Sequence, residues 1–137
     1  MIKTKCACTR VRRAARSLTD LYDVALEPVD LKITQFSVLR TIDRMGLVNI
    51  SILAAEMALD RSTLGRNLKL LKRRGLVDLF EGKDLRERTV TLTSRARRLL
   101  EKAIPLWDQA QKRVDHMLGK RQVATLFRLL TDIETLR

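Results

Sequence analysis

The sequence predicts a mainly α-helical fold with one small β-hairpin. Across residues 60–93, leucines at helical spacing are followed by a glycine and then by a charged segment. That segment ends in a run in which polar and apolar residues alternate. That last part, Thr89-Val90-Thr91-Leu92, has the period of a half-buried strand. Over most of the remaining chain, apolar residues recur every three or four positions, as they do in amphipathic helices.

Length and composition indicate a single domain, residues 1–137, of which 45% are hydrophobic. No segment reaches the roughly 20 apolar residues of a membrane-spanning helix. The cationic N-terminus is not followed by the apolar region of a signal peptide. Two cysteines, Cys6 and Cys8, cannot form a disulfide framework and suit a reducing compartment. We therefore expect a cytoplasmic protein that does not enter a membrane.

The first two helices are marked by their ends. A helix is predicted over residues 7–26, and Pro28 ends it, because proline lacks an N–H and disfavours a helical conformation in the preceding residue. Thr34 is the predicted N-cap of the second helix, which ends at Gly46.

A short third helix is predicted over Ile52–Leu59, with Asn49 or Ser51 as its N-cap. Asp60 then caps the fourth helix, since its carboxylate can accept from the free N–H groups and interacts favourably with the positive end of the helix. No glycine lies between the third and fourth helices, so the sequence marks the turn between them only weakly.

The fourth helix has an apolar face and a polar, cationic face. Leu64, Leu68 and Leu71 share the apolar face, because they lie at positions i, i+4 and i+7. The side chains on the opposite face are Ser62, Arg66, Lys69 and Arg73. Such a helix, followed by a charged hairpin, fits a DNA duplex, because the helix can enter the major groove while the hairpin reaches the adjacent backbone.

Glycines bound the hairpin, and the C-terminal third is helical. Gly75 marks the end of the fourth helix, and Gly82-Lys83-Asp84 predicts the hairpin turn. Thr93 or Ser94 caps a long fifth helix, which Pro105 is expected to kink. The apolar positions of a last helix, after Gly119, are Val123, Leu126, Phe127, Leu130 and Ile133.

Positive charge is concentrated in two segments. Residues 61–98 carry 12 Lys/Arg and 4 Asp/Glu, and residues 1–16 carry 6 Lys/Arg and no acidic residue. The net charge of the whole chain is +12. Cations that merely keep helices soluble would be interleaved with acidic residues, whereas segregated charge indicates a polyanionic partner. We expect that partner to be double-stranded DNA.

The terminal helices, in residues 1–28 and 94–137, lie outside the central unit, residues 30–93. They contain more apolar residues than that unit needs for its core, and an interface between two chains would bury the excess. We therefore predict a homodimer held together by the terminal helices, which suits a DNA site with two half-sites. A monomer whose terminal helices pack on their own central unit is the alternative.

Three sequence segments resemble those of a known family. Leu53-Ala54 precedes Asp60-Arg61-Ser62-Thr63-Leu64, and Leu71-Lys72-Arg73-Arg74-Gly75-Leu76-Val77 follows. Asp84-Leu85-Arg86 and then Val90-Thr91-Leu92-Thr93 match a D-x-R…LT wing signature. In this order and spacing, the chain resembles the MarR family of bacterial winged helix-turn-helix regulators over nearly its whole length. The resemblance implies an obligate dimer, a palindromic operator, and release from DNA when a small molecule or an oxidant acts.

The resemblance also assigns roles in DNA binding to the fourth helix. The residues that match the first turns of the family's recognition helix, and are expected to approach base edges, are Ser62, Thr63 and Arg66. Asn67 lies at the border of that face. Lys69 and Arg73 lie farther along the helix and are expected to contact phosphates.

In the hairpin, Arg86 matches the wing arginine that enters the minor groove, where a narrow groove concentrates negative potential. Asp84 matches the wing acid that orients a neighbouring arginine. A turn-forming aspartate that hydrogen-bonds its own backbone is the alternative for Asp84.

Cys8 is a candidate oxidant sensor. It precedes Tyr22 by fourteen residues, the offset between the peroxidatic cysteine and the Leu-Tyr pair in the family's organic hydroperoxide resistance branch. That branch has tyrosines where this chain has Arg12 and Phe36, so the phenol donors are missing. The arginines that follow Cys8 would favour a thiolate. The alternative is that both cysteines lie near a frayed terminus without a role.

Tyr22, Phe36 and Trp107 could line a cavity between the terminal helices and the central unit, where the family binds phenolic compounds. Packing in the core is the alternative for each of the three. A small aromatic molecule is therefore the second candidate effector, beside an oxidant.

Catalytic and metal chemistry are not expected. His116 is the single histidine, and a catalytic triad or a metal site needs further residues around it. The two cysteines would supply half of a tetrahedral site. No glycine-rich phosphate loop precedes a helix. We predict neither an enzyme nor a bound cofactor or metal.

The predicted function is that of a sequence-specific transcriptional repressor, dimeric and released from its operator by a small molecule or an oxidant. The alternative is a winged-helix protein that binds or packages nucleic acid without sequence preference, which the charge alone would allow. A first helix that lies on a membrane is the least favoured, because its cations surround the apolar stripe poorly.

Overall fold

The computed structural model describes residues 1–83 and 87–136 and shows a helical chain with a small sheet. The helices are α1 (Ala7–Leu26), α2 (Ile33–Met45), α3 (Ile50–Glu56), α4 (Arg61–Arg73), α5 (Ser94–Leu118) and α6 (Lys120–Glu134). The strands are β1 (Val48–Asn49), β2 (Val77–Phe80) and β3 (Thr89–Leu92). A short 3-10 helix, Glu27–Val29, joins α1 to α2. This order confirms the predicted winged helix-turn-helix with terminal helices.

The predicted hairpin is part of a three-stranded antiparallel sheet. β3 lies in the centre, between β1 and β2. Val90 faces Val48 on one side, and Leu92 faces Val77 on the other. All four side chains are buried. The sequence did not predict β1, because two residues are too few to show a strand period and the strand exists only through its pairing with β3.

α2 begins before the predicted cap, Thr34, which lies inside the helix. Lys32 occupies the N-cap position, and its N–H donates to Gln35 Oε1 at 3.0 Å. The N–H of Ile33 donates to Asp23 Oδ1 of α1 at 2.7 Å. The cap is thus partly supplied by another helix, which the local sequence cannot show.

α3 is also displaced relative to the prediction, and covers Ile50–Glu56 instead of Ile52–Leu59. Asn49 is its N-cap, accepting from the N–H groups of Ser51 at 2.8 Å and Ile52 at 3.3 Å. In the turn that leads to α4, Ala58 has a φ of +52°, a conformation that glycine adopts more easily. The turn between α3 and α4 is therefore made by Ala58 in the left-handed backbone conformation, and the sequence did not reveal it because no glycine occurs there.

The apolar face of α4 lies in the core, as predicted. Leu64, Leu68 and Leu71 are each at most 1% exposed. They belong to one cluster with residues of α2, the sheet and the first half of α5. This packing fixes the rotation of α4 about its axis, and so determines which side chains face solvent.

The end of α4 is joined to the start of α5. Gly75, with a φ of +71°, ends α4. Its carbonyl accepts from the Thr93 hydroxyl at 2.7 Å, and Thr93 Oγ1 in turn accepts from the N–H of Ala96 at 3.1 Å. Thr93 is therefore the N-cap of α5 and holds the two helices together. α5 continues through Pro105 to Leu118.

Of the terminal helices, α1 and α6 are largely exposed. Residues 7–20 of α1 are all exposed, and within the described chain no residue of α6 is buried. Several of their exposed side chains are large and apolar; these are Val11, Leu18, Phe127, Leu129 and Ile133. None of the described helices is long and apolar enough to cross a membrane.

We expect Leu68→Ala to lower the free energy of unfolding by about 2–5 kcal/mol, because it leaves a cavity in a closely packed core. Leu70→Ala is the matched control on the same helix, since Leu70 is 46% exposed; it should cost about 0.5 kcal/mol or less. Urea unfolding followed by circular dichroism, at equal protein concentration, measures both. Equal losses would mean that the leucine face of α4 does not carry the core.

Candidate nucleic-acid interface

The first turn of α4 is organised around the Asp60 carboxylate. Oδ1 accepts from the Thr63 N–H at 2.7 Å and from the Ser62 hydroxyl at 2.7 Å. Oδ2 accepts from the Thr63 hydroxyl at 2.9 Å. These bonds, with the charge of Arg66, hold the pKa of Asp60 at about 2. Asp60 is therefore ionised at neutral pH, and it fixes both hydroxyls that the sequence placed at base edges.

Arg66 extends this arrangement into the next turn. Its Nη2 donates to Thr63 Oγ1 at 3.4 Å, a long hydrogen bond that directs the guanidinium toward the N-terminal end of the helix. Arg66 is exposed and Asn67 half-buried, which agrees with the expected border of the polar face. The structure thus brings Ser62, Thr63 and Arg66 together around Asp60.

The other two cations on this face lie toward the C-terminal end of α4. Lys69 and Arg73 are both exposed, as the helical spacing predicted. A face about 20 Å long, at 1.5 Å per residue, thus carries hydrogen-bonding side chains at one end and cations along the rest. Such a face can contact base edges and phosphates of one groove.

Two further residues join this face without having been selected from the sequence. A cleft beside α4 is lined by Ser62, Gly65 and Lys69 and, across it, by Arg88. The Arg88 carbonyl accepts from the N–H of Ile50 at 2.9 Å, which fixes the start of β3 against α3. Gly65 has open space above it, so the helix backbone is accessible there. Two features of the sequence could have identified these residues. Gly65 lies three positions after Ser62, on the same side of the helix, and Arg88 is a second arginine after the predicted hairpin turn.

Two residues that the sequence predicted for DNA binding, Asp84 and Arg86, lie outside the described residues. On either side of them, the N–H of Lys83 donates to Glu87 Oε2 at 2.9 Å. Arg88 Nε lies 3.8 Å from Glu81 Oε1, beyond hydrogen-bonding distance. The described base of the hairpin thus carries one hydrogen bond, between Lys83 and Glu87, and one longer ion pair, between the buried Arg88 Nε and Glu81.

The three aromatic candidates for a ligand site lie together. Trp107 stacks between Tyr22 and Phe36, at ring-centroid distances of 6.4 and 6.1 Å. The Tyr22 hydroxyl donates to Gln111 Oε1 at 2.5 Å, and burial, with a smaller effect of the Asp115 charge, raises the Tyr22 pKa. The rings pack against one another where α1, α2 and α5 meet, and their role toward a ligand stays a prediction.

The cysteines lie at the start of α1, and both are exposed and free. Cys6 occupies the N-cap position, and Cys8 is in the first turn. Hydrogen bonds from Thr9 lower the pKa of the Cys6 thiol, which favours its thiolate. The sequence pointed to Cys8, and the role of either cysteine toward an oxidant stays a prediction. Among the described residues, no group of three His, Cys, Asp or Glu side chains could hold a metal ion.

Comparisons with known proteins agree on one family. A model described as MarR family matches residues 29–87. The crystal structure of the M. tuberculosis transcriptional regulator MosR in complex with DNA is 40% identical, covers 97% of this chain and 99% of that chain, and gives a TM-score of 0.84. A search of curated proteins found no match.

Two more distant structures share the fold. The transcriptional repressor CouR, bound to a 23-mer DNA duplex, is 24% identical over 98% of this chain and 99% of that chain, with a TM-score of 0.86. A mutant of MarR from E. coli, complexed with operator DNA, is 24% identical over 91% of both chains, with a TM-score of 0.83. With the match to MosR along nearly the whole chain, these findings show that this chain belongs to the MarR family of winged helix-turn-helix transcriptional regulators.

Proposed function

We propose that this chain is a sequence-specific DNA-binding repressor that acts in the cytoplasm as a homodimer and catalyses no reaction. The observation that carries the proposal is the exposed face of α4. Hydrogen-bonding groups at its start are held in place by Asp60, and cations follow along the helix. Such a face combines the two requirements of sequence recognition, which are fixed polar groups at base edges and cations at phosphates.

The relatives support this proposal. MosR was crystallised with DNA and the E. coli MarR mutant with operator DNA, and this chain superposes on them with TM-scores of 0.84 and 0.83. The net charge of +12, concentrated in residues 1–16 and 61–98, supplies the affinity for a phosphate backbone that any such protein needs. Within the hairpin, we assign Arg86 to the minor groove and Asp84 to its orientation, as the family resemblance implies.

The terminal helices supply the proposed dimer interface, in residues 1–28 and 94–137. Phe127 is 56% exposed and Ile133 47% exposed, on an amphipathic α6 that has no buried residue in the described chain. Exposed apolar faces of this kind mark protein–protein interfaces, and a second copy of the chain would cover them. A two-fold dimer would present two α4 helices to half-sites about one turn of DNA apart.

Two effectors fit the proposed repressor. An oxidant would act at Cys8 or Cys6, both exposed at the start of α1. A small aromatic molecule would act at Tyr22, Phe36 and Trp107, where α1 meets α2 and α5. Either would act on α1, a helix of the proposed interface, and so alter the separation of the two DNA-binding units.

We expect Arg66→Ala to weaken binding to the operator by roughly 1–3 kcal/mol and to relax its sequence preference, because the guanidinium reads a base edge. Lys69→Ala, the matched control one turn farther along, should weaken binding to operator and random DNA by similar factors. Titrations with both DNAs, after selection of the operator from a random pool, measure this. If Arg66→Ala lowers both affinities equally, it does not read a base, and if no sequence is enriched, the protein binds without sequence preference.

We expect Phe127→Glu to convert the dimer into monomers, because it places a charge in the centre of the proposed apolar interface. Arg128→Glu is the control, since it adds the same residue on the other side of α6. Sedimentation velocity at several concentrations distinguishes monomer from dimer. A Phe127→Glu protein that stays dimeric would show that α6 is not the interface.

We expect a hydroperoxide to weaken operator binding through oxidation of Cys8, since a sulfenic acid or mixed disulfide adds bulk and polarity near the proposed interface. Gel shifts of wild type, Cys6→Ser and Cys8→Ser, each with and without oxidant, test this. Loss of binding that persists in Cys8→Ser but disappears in Cys6→Ser would transfer the role to Cys6. Wild type that keeps its DNA under oxidant would leave the aromatic molecule as effector.

A further inference from the structure

Two hydroxyl groups at the start of α4 bond to the same carboxylate. Ser62 Oγ lies 2.7 Å from Asp60 Oδ1, and Thr63 Oγ1 lies 2.9 Å from Oδ2. An ionised carboxylate has no proton and can only accept hydrogen bonds. In both bonds the hydroxyl must therefore be the donor, and each hydroxyl has a single proton. Neither Ser62 nor Thr63 has a proton left for another partner while these bonds last.

What the two side chains offer to a DNA groove follows from this. Ser62 is exposed, and its Oγ keeps its lone pairs, so it can accept but not donate. Thr63 Oγ1 already accepts from Arg66 Nη2 at 3.4 Å, which leaves Arg66 to present its other N–H groups. The start of α4 thus combines a fixed acceptor, at Ser62, with a fixed donor, at Arg66.

The major groove distinguishes these two kinds of group. Adenine and cytosine present amino donors there, whereas guanine and thymine present carbonyl acceptors at the corresponding positions. A serine that can only accept is compatible with adenine or cytosine, and it meets an acceptor at guanine or thymine. A serine with a free hydroxyl proton would be compatible with all four bases.

We propose that Asp60 determines part of the sequence preference of α4, because it holds the Ser62 hydroxyl as an acceptor that selects adenine or cytosine. This inference rests on the proposed function, since it needs α4 to enter the major groove. Asp60 acts as a positioning residue. Its carboxylate already accepts three of the roughly four hydrogen bonds that it can accept, so little of it remains to contact a base itself.

A role as helix cap alone makes a different prediction. Loss of a cap would destabilise the first turn of α4 and weaken binding to all DNA, with the order of preferred bases unchanged. The negative charge of Asp60 also repels phosphates, so its removal would raise affinity for all sequences alike. Both effects are uniform over sequences, and the preference at one base pair separates them from the proposed role.

The experiment is selection of bound DNA from a random pool by the full-length protein, followed by sequencing. Wild type, Ser62→Ala, Asp60→Ala and Asp60→Asn are compared. The base pair whose preference disappears in Ser62→Ala is the one that Ser62 reads. At that position wild type should enrich adenine and cytosine over guanine and thymine on one of the two strands, which is then the strand that Ser62 faces. Asp60→Ala should reduce that enrichment by roughly threefold to tenfold, the value of one hydrogen bond, by admitting guanine and thymine.

Asp60→Asn is the matched control. Its amide oxygen can replace Oδ1, which receives both the Ser62 hydroxyl and the Thr63 N–H, while the negative charge is lost. The preference at the Ser62 position should therefore survive in Asp60→Asn. The inference is overturned if the wild-type preference there separates purines from pyrimidines or A·T from G·C pairs, if Ser62→Ala changes no position, or if Asp60→Ala keeps the wild-type preference.

A second measurement needs no Asp60 variant and covers the case in which Asp60→Ala does not fold. At the mapped position, adenine is replaced by purine, or cytosine by 2-pyrimidinone, each of which lacks the amino group. Wild type should lose roughly threefold to tenfold in affinity, and Ser62→Ala should lose nothing further. Equal losses in both proteins would overturn the inference. Failure of the proposed function looks different, because wild type would then enrich no sequence at all.

Discussion

The burial of one leucine face on α4 is the contact on which the candidate interface depends. Leu64, Leu68 and Leu71 are almost completely enclosed, and they leave α4 a single rotation about its axis. Because side chains project from a helix at fixed angles, this rotation places Ser62 and Arg66 outward together. A change in the core beneath α4 would therefore alter the direction of every side chain that is proposed to face DNA, even where none of them is touched.

The ends of α4 are held by different means. At its start, the Asp60 carboxylate holds Ser62 and Thr63 locally. At its end, Arg74 Nη1 donates to the Asp30 carbonyl at 2.6 Å, and Thr93 joins Gly75 to the start of α5. A movement of α5 would thus be transmitted to the end of α4 through the Thr93 hydroxyl and through the Thr93 N–H, which donates to the Leu76 carbonyl at 3.1 Å. In the proposed dimer, these bonds would directly connect the interface helices to the helix that is proposed to contact DNA.

Features that depend on neighbours in the sequence could be predicted, and those that depend on the fold could not. The Asp60 cap, the leucine face and the Gly75 end all follow from spacing within a few residues, and all are confirmed. The cap of α2 uses Asp23 from another helix, and β1 exists only because Val48 pairs with β3. No local sequence pattern could predict the cap of α2 or the strand β1, because the residues that pair with them lie in other elements of the fold.

The candidate site divides in the same way. Helical spacing was enough to select Ser62, Arg66, Lys69 and Arg73, since a helix with one apolar face leaves the opposite face to the solvent. Thr63 was selected only through the family resemblance. Helical spacing could not show that Asp60 bonds to Ser62 and Thr63. The sequence is consistent with such bonds, because the capping aspartate precedes the two hydroxyl residues by two and three positions. Arg88 was missed, because its position beside α4 depends on how the sheet packs against the helix.

Charge and hydrogen bonding have separate consequences for the proposed interaction with DNA. The excess of cations would attract any DNA, because phosphates are the same in every sequence. Discrimination between bases needs groups whose role as donor or acceptor is fixed before contact, since a hydroxyl that is free to rotate can pair with any of the four bases. Asp60 places a negative charge on a face that is otherwise cationic, at a cost in attraction to phosphates. In exchange it fixes the Ser62 hydroxyl as an acceptor and, through Thr63, positions the Arg66 guanidinium, which can only donate. One carboxylate would thus set the polarity of one contact and the position of its neighbour.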